Sequence, residues 1–165
     1  EAVKLHYLGT PEFGVLIDAG IGIRTIKKVL KDKAIDFSKI VAVLITHDHA
    51  DHIKTLVAWE RNEYPGIHYR CRPPRNRKSR YVEETLIGSR RVIEKKDPLS
   101  IRNFNIIAFE VPHDSTDNVG YYIEYGEHKF TFATDVGHIT DTVSRYMRMA
   151  NHLIIEANYD EEMLK

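Results

Sequence analysis

The chain has 165 residues, of which 42% are hydrophobic and 29% are charged, and this composition predicts one folded domain over 1–165 and excludes a disordered or fibrous chain. Lys plus Arg equals Asp plus Glu at 24 each, so the net charge gives no overall attraction to nucleic acid or membrane. Cys71 is the single cysteine, which excludes an intramolecular disulfide. The sequence has no apolar run of about 18 residues and no targeting leader, so we expect a cytoplasmic protein without a membrane partner.

The first part of the chain alternates strand and helix patterns. Residues 14–18 form an aliphatic run closed by Ala-Gly, which predicts a strand, with 5–8 as its hairpin partner. A helix is predicted where apolar residues recur at helical spacing and basic residues between them face water: Ile23, Ile26, Val29 and Leu30, with Arg24, Lys27, Lys28 and Lys31. Residues 41–45 predict an interior strand and 53–59 a helix, so the intervening residues lie on a strand-to-helix loop.

A basic tract at 68–80 interrupts this alternation. It contains Pro73 and Pro74, no acidic residue and six cations: Arg70, Arg72, Arg75, Arg77, Lys78 and Arg80. The tract cannot be a regular helix or a central strand throughout, because proline removes a backbone donor. Two interpretations remain open, a surface that contacts the phosphates of a nucleic acid and a solvated loop.

The second part of the chain is rich in strand patterns. Residues 101–111, 119–125 and 129–134 predict a β-meander, and Gly126 and Glu127 predict the hairpin between the last two. A helix over 140–149, a strand over 152–156 and a short helical start at Asp160 follow. The whole pattern is typical of an α/β (α+β) fold with layers of sheet and helix.

The stretch Thr-His-Asp-His-Ala-Asp-His at 46–52 concentrates ligand-type side chains directly after the apolar strand 41–45. His47 and His49 are two residues apart, so a strand end can direct both to the same side. Asp51 and His52 come where the next helix begins, close enough to hold a second ion. A solvated His-rich turn is the alternative, but the combined spacing favours a site for two divalent metals.

Two further polar residues end apolar runs and are candidate ligands. His113 follows 106–112 and would complete three nitrogens around the first ion. Asp135 follows 130–134, and its carboxylate could bridge both cations.

These motifs, taken in order, resemble those of a known family. The strings Leu-Ile-Asp-Ala-Gly, Thr-His-Asp-His-Ala-Asp-His, Pro-His-Asp and Ala-Thr-Asp resemble the metallo-β-lactamase superfamily. The longer strings Val-Pro-His-Asp-Ser-Thr-Asp-Asn-Val-Gly-Tyr and Leu-Ile-Ile-Glu-Ala-Asn-Tyr-Asp-Glu-Glu-Met-Leu are similar to its bacterial WalJ/YycJ branch of metal-dependent DNA exonucleases. The resemblance implies a metallo-β-lactamase αββα sandwich.

The resemblance also implies roles for individual residues. His47, His49 and His113 would hold the first metal, Asp51 and His52 the second, and Asp135 would bridge them. Asp18 would orient a ligand, although a simple role in forming the turn at the end of the strand is an equally good interpretation of this residue. The family pattern continues into a second half with a further His ligand in a Gly-His-x-Ser-Asn segment. We therefore expect a fold incomplete at its C-terminus, and whether the second metal site is complete without that His stays open. His138 could substitute there, but a surface turn histidine is the favoured interpretation of that residue.

Hydrolysis is the expected reaction, because paired divalent ions of zinc, manganese or iron make hydroxide available at neutral pH. Asp51 would position the nucleophile, and DNA or another phosphodiester would be the substrate, read through its backbone rather than its bases. Two alternatives stay open, a small-molecule hydrolase of the thioesterase or lactamase kind and an inactive truncated metal-binding domain. The pattern does not indicate an oligomeric state.

Overall fold

The computed structural model describes residues 6–17, 23–46, 50–71, 90–112 and 118–157, with the backbone alone for 50–55 and 157. The chain divides into two compact units, Glu1–Val92 and Ile93–Lys165. Each unit is built around its own sheet, and the single domain predicted over 1–165 stays a prediction.

The first unit contains a five-stranded sheet with the strand order β1-β2-β3-β4-β5. Its strands are β1 (His6–Gly9), β2 (Gly14–Ile17), β3 (Ile40–Leu44), β4 (Ile67–Cys71) and β5 (Arg90–Ile93). Strands β1 and β2 are antiparallel, whereas β2, β3 and β4 run parallel. The predicted hairpin at the start and the predicted interior strand over 41–45 are both confirmed.

Two α-helices flank the parallel strands: α1 (Ile23–Asp32) and α2 (Ala50–Arg61). A short 3-10 helix (Phe37–Lys39) precedes β3 and is capped by Asp36, whose carboxylate accepts a hydrogen bond from the backbone N–H of Ser38 at 3.0 Å. The apolar face of α1 is buried against the sheet in one core cluster, formed by Leu16, Ile26, Leu30, Ile40, Val43 and Trp59. This amphipathic packing is what the helical spacing predicts, and both helices are confirmed.

Strand β4 includes the start of the basic tract and corrects the predicted role of Arg70. The chain is a regular interior strand as far as Cys71, and Arg70 within it is only 1% exposed. Its guanidinium donates a hydrogen bond of 2.9 Å to the carbonyl oxygen of Cys71. A phosphate backbone can reach only exposed cations, so the prediction that Arg70 contacts the substrate is wrong. The other five cations of the tract, Arg72, Arg75, Arg77, Lys78 and Arg80, lie outside the described residues.

The second unit contains a five-stranded sheet with the order β10-β9-β8-β7-β6. Its strands are β6 (Leu99–Ile101), β7 (Phe104–Val111), β8 (Asn118–Tyr125), β9 (His128–Val136) and β10 (His152–Ala157). Strands β7 to β9 form the predicted antiparallel meander, β6 extends it, and β10 adds parallel to β9. The predicted single run over 101–111 is wrong at its start, because Arg102 and Asn103 both have positive φ and form a two-residue turn between β6 and β7.

Helix α3 (Asp141–Met149) packs on this sheet. Thr140 caps it, accepting a hydrogen bond from the N–H of Val143 at 3.2 Å. The ring of Tyr146 stacks on Phe109 with centroids 4.5 Å apart, and the Tyr146 carbonyl accepts a hydrogen bond from the buried Thr131 hydroxyl at 2.6 Å. In the part of the chain that the structure describes, every α-helix is too short or too polar to form a membrane span.

Candidate metal centre

The buried end of β3 leads directly into the histidine motif. Pairing with β4 continues past Leu44, because the N–H of Ile45 donates to the Tyr69 carbonyl at 3.1 Å, and Thr46 is fully buried. His47 and His49 follow and lie outside the described residues, and α2 begins at Ala50. The flanks on both sides thus agree with the predicted strand-to-helix position of the motif.

Asp51 and His52 belong to the first turn of α2, as predicted, although their side chains are not described. The C-terminal half of this helix is held firmly. The indole N–H of Trp59 donates to the Pro65 carbonyl at 2.9 Å, and Glu60 accepts a hydrogen bond of 2.6 Å from Arg90 on β5. Because a helix is a stiff element, these contacts also fix the direction of its N-terminal turn.

The strands that precede Asp18 and the histidine motif end side by side. Ile17 is the last residue of β2 and pairs with Leu44, the last residue of β3, in a parallel ladder. Ligands commonly bind at the carboxyl ends of parallel strands. Asp18 itself lies outside the described residues, so its role as an orienting carboxylate stays a prediction.

Asp135 is the one predicted ligand whose side-chain environment is described, and it lies in a β-bulge. Ala133 pairs with Ile155 and Val136 pairs with Ala157, so Thr134 and Asp135 together oppose Glu156 alone. Asp135 is half-buried and has a φ of 53°, in the left-handed region. Bulges near active sites redirect a side chain, and Asp tolerates this conformation better than most residues. The bulge was not predicted from the sequence.

Polar groups surround this bulge. The buried side-chain amide of Asn118, on β8, donates a hydrogen bond of 2.7 Å to the Thr134 carbonyl. The Oδ1 atom of Asn118 and the Oγ1 atom of Thr134 are buried and have no hydrogen-bond partner among the described residues. Buried polar atoms in proteins are normally satisfied. The neighbourhood of Asp135 therefore has spare hydrogen-bonding capacity, which suits a polar ligand or a further polar segment.

The chain before His113 is joined to the chain after Asp135. Strand β7 ends at Val111, and the carbonyl oxygen of the next residue, Pro112, accepts a hydrogen bond from the Gly137 N–H at 3.1 Å. His113 itself lies outside the described residues. Within the second unit, the segments that flank these two predicted ligands are thus neighbours, although they are more than twenty positions apart in the sequence.

His138 and His68 are not among the six predicted ligands. His138 is exposed, as a surface turn histidine would be. His68, which no sequence motif singled out, is fully buried in β4 with its ring 5.2 Å from that of Trp59. Across the described ranges, no group of three or more His, Cys, Asp or Glu side chains forms a metal cluster. Of the six predicted ligands, three fall in the gaps between those ranges, and two more have only their backbone described.

A basic surface lies on the outer face of α1. Arg24, Lys27, Lys28 and Lys31 are all exposed and lie at spacings of three, four and seven residues, which places them on one side of the helix. The ammonium of Lys27 lies 4.9 Å from the centroid of the Tyr64 ring, a cation–π contact. The prediction that these residues face water is confirmed.

Comparison with known proteins gives a consistent result. A family model described as "Beta-lactamase superfamily domain" matches residues 14–165. The chain is 27% identical to exodeoxyribonuclease YycJ of Bacillus anthracis over 98% of this chain and 61% of that protein. It is 26% identical to exodeoxyribonuclease WalJ of Streptococcus pneumoniae serotype 2 over 96% of this chain and 60% of that protein. The chain thus spans about three fifths of the length of these curated relatives.

Solved structures show the fold. The metallo-β-lactamase fold protein YhfI from Bacillus subtilis has a TM-score of 0.64 at 16% identity, with 99% of this chain and 82% of that chain covered. The Zn²⁺-bound PqqB from Methylobacterium extorquens has a TM-score of 0.70 at 17% identity, with 96% and 62% covered. The predicted metallo-β-lactamase fold is confirmed by these similarities.

Proposed function

The chain belongs to the β-lactamase superfamily, and on that premise we propose that it is a metal-dependent hydrolase that acts as a DNA exonuclease of low sequence specificity. One observation carries the proposal. The motif His47-x-His49-x-Asp51-His52 occupies the connection between an interior parallel strand, β3, and the first turn of α2. Neutral imidazole and carboxylate are the ligands that zinc, manganese and iron accept.

The residues present fit two divalent ions. His47, His49 and His113 would hold one ion, Asp51 and His52 a second, and the carboxylate of Asp135 would contact both. The left-handed bulge at Asp135 supports this assignment, because such a conformation redirects a side chain away from the regular ladder. The uncompensated buried oxygens of Asn118 and Thr134 support a polar site at the same place.

When bound, the ions would activate water, because they lower its pKa toward about 7, and they would offset the charge of the group under attack. The protein would orient the reactants. Asp51 is proposed to position the nucleophile, and the fixed direction of α2 would hold it in place. Asp18 is proposed to orient a ligand imidazole by accepting its second N–H.

The proposed substrate is a polynucleotide, because the described surface offers cations in a row. Arg24, Lys27, Lys28 and Lys31 extend along α1, which follows the strand β2 that ends beside β3. Contacts to several successive phosphates need such an extended row, whereas a small thioester or lactam does not. The relatives named as exodeoxyribonucleases support the same substrate class. The cations of the tract after Cys71 remain proposed additional contacts.

Hydrolysis assays on the full chain test the proposal. With added Mn²⁺ or Zn²⁺, end-labelled DNA should be shortened from its ends, and a thioester of similar concentration should be cleaved far more slowly. The variants His49→Ala and Asp135→Asn should abolish the nuclease activity, whereas Asn105→Ala, at an exposed position of β7, should not. Nuclease activity that survives both ligand changes would refute the assignment.

A further inference from the structure

Two histidines outside the candidate centre face each other at the edge of the second sheet. The Nδ1 atom of His128, at the start of β9, lies 3.3 Å from the Nε2 atom of His152, at the start of β10. Both side chains are exposed. Strand β10 is the terminal strand of this sheet, so solvent ions can reach the pair.

The backbone holds these two strand ends together. Asn151, the residue before His152, makes three hydrogen bonds to the β8–β9 hairpin and β9. Its N–H donates to the Lys129 carbonyl at 2.9 Å, its Oδ1 accepts from the Lys129 N–H at 2.8 Å, and its Nδ2 donates to the Glu127 carbonyl at 2.8 Å. The backbone positions of the two histidines relative to each other are therefore set by the fold.

An aromatic residue orients the rings. Phe130 pairs with His152 in the parallel ladder and stacks on its ring at a centroid distance of 4.7 Å, with 18° between the ring planes. His128 lies two residues before Phe130 and therefore on the same face of β9. Its ring is 6.1 Å from that of Phe130 and 5.5 Å from that of His152. The three rings form one ordered cluster with a pair of nitrogens directed at each other.

From this geometry we propose that His128 and His152 form a surface site for one transition-metal ion of the Zn²⁺ or Cu²⁺ class, in addition to the candidate metal centre. Two nitrogens bound to a tetrahedral zinc at about 2.0–2.1 Å lie roughly 3.3–3.4 Å apart, which matches the observed separation. Water would occupy the remaining positions around the ion. Both facing nitrogens must be unprotonated to bind the ion, so the proton between the two rings moves to the other nitrogen of the ring that carries it, and two neutral imidazoles hold the ion without net proton release.

Metal content measures the site directly. Tag-free full-length protein is dialysed to equilibrium against excess Zn²⁺ and the zinc per chain is measured. The His152→Phe variant keeps an aromatic ring against Phe130 but loses the nitrogen, and it should bind one zinc fewer than the wild-type chain. His128→Gln should give the same loss. His138→Ala, which removes an exposed histidine elsewhere in the same unit, should bind as much zinc as the wild type.

The outcome does not depend on the proposed function, because it is a difference between two chains that share the candidate centre. If the centre binds nothing, the wild type should still bind one ion more than His152→Phe. Copper gives a second readout, since the electron paramagnetic resonance spectrum of bound Cu²⁺ should include a species with two nitrogen ligands that both variants lose. Equal zinc content in wild type and in the two folded variants, with unchanged copper spectra, overturns the proposal.

Discussion

The side-chain amide of Asn118 donates a hydrogen bond of 2.7 Å to the carbonyl oxygen of Thr134, next to the bulge that contains Asp135. The regular β8–β9 pairs run from Tyr121 with Phe132 to Tyr125 with His128, so this side chain joins the two strands beyond the ladder. A buried amide thus replaces a backbone hydrogen bond at the place where β9 changes direction. The position of Asp135, a proposed metal ligand, therefore depends on Asn118, which is not itself a proposed ligand.

Replacing Asn118 should weaken both stability and activity. Asn118→Ala leaves the buried Thr134 carbonyl without this donor, and the free energy of unfolding should fall by about 1–3 kcal/mol. Nuclease activity should fall because the bulge is less well held. Urea denaturation and the DNA assay measure the two effects. The matched control is Asn105→Ala, an exposed asparagine on β7, and equal stabilities of the two variants would contradict the role of the amide.

Substitutions of Asp135 should separate charge from conformation. Asn also tolerates a positive φ, so Asp135→Asn should fold with a stability within about 0.5 kcal/mol of wild type while binding less metal. Asp135→Val puts a β-branched residue at a φ of 53°, which should lower the free energy of unfolding by a further ~1–2 kcal/mol. Thermal unfolding and metal analysis distinguish the two. An Asn variant with full metal content would show that the carboxylate is not a ligand.

Removing charge from α1 should weaken DNA binding in a salt-dependent way. The triple variant with Arg24, Lys28 and Lys31 changed to Gln leaves the Lys27–Tyr64 interaction intact. If each cation binds a phosphate, the slope of log K against log salt should become shallower by about 0.7–0.9 for every phosphate that is no longer neutralised. The control changes Arg145 and Arg148 on α3, both exposed, to Gln. An unchanged slope in the α1 variant would show that these cations face solvent and do not contact DNA.

Tyr122 should make the fold sensitive to alkaline pH. Burial, followed by the hydrogen bond of 2.5 Å from its hydroxyl to Glu124 and the charge of that carboxylate, raises the pKa of Tyr122 well above its ordinary value. The unfolded chain therefore loses this proton first, and stability that is present below about pH 10 is lost as the pH rises further. Tyr122→Phe should show a smaller decline in stability above that pH than the wild type. Parallel declines in urea titrations at pH 9 and above would contradict the assignment.

The sequence predicts most regular elements because their patterns are local. Residues 15–17 and 41–45 are aliphatic, and the spacing of Ile26 and Leu30 is helical, so β2, β3 and α1 follow from single segments. Strand β4 was missed in part because it buries a charged side chain, Arg70, which looks like part of an exposed tract. The turn at Arg102 and Asn103 was missed because it contains neither Gly nor Pro, and Asn103 alone is a weak indicator of a turn.

The features that depend on long-range pairing could not be predicted. The bulge at Asp135 arises from a shift in the pairing register between β9 and β10. The His128–His152 pair forms because the same two strands run parallel and start side by side. Hydrophobic periodicity within a segment carries no information about which strand will become its neighbour. By contrast, the motif at 46–52 is local, which is why its position between β3 and α2 follows from the sequence alone.

The number of transition-metal ions bound per chain tests the central claim most directly. It should be measured on the His152→Phe chain, in which the proposed surface site is disabled, after supplementation with Zn²⁺ or Mn²⁺ and removal of loosely bound metal. We expect two ions per chain, and fewer when His47 or His49 is also replaced by Ala. A folded chain that holds no such ion, or that holds the same number after either replacement, contradicts a metal-dependent centre at this motif.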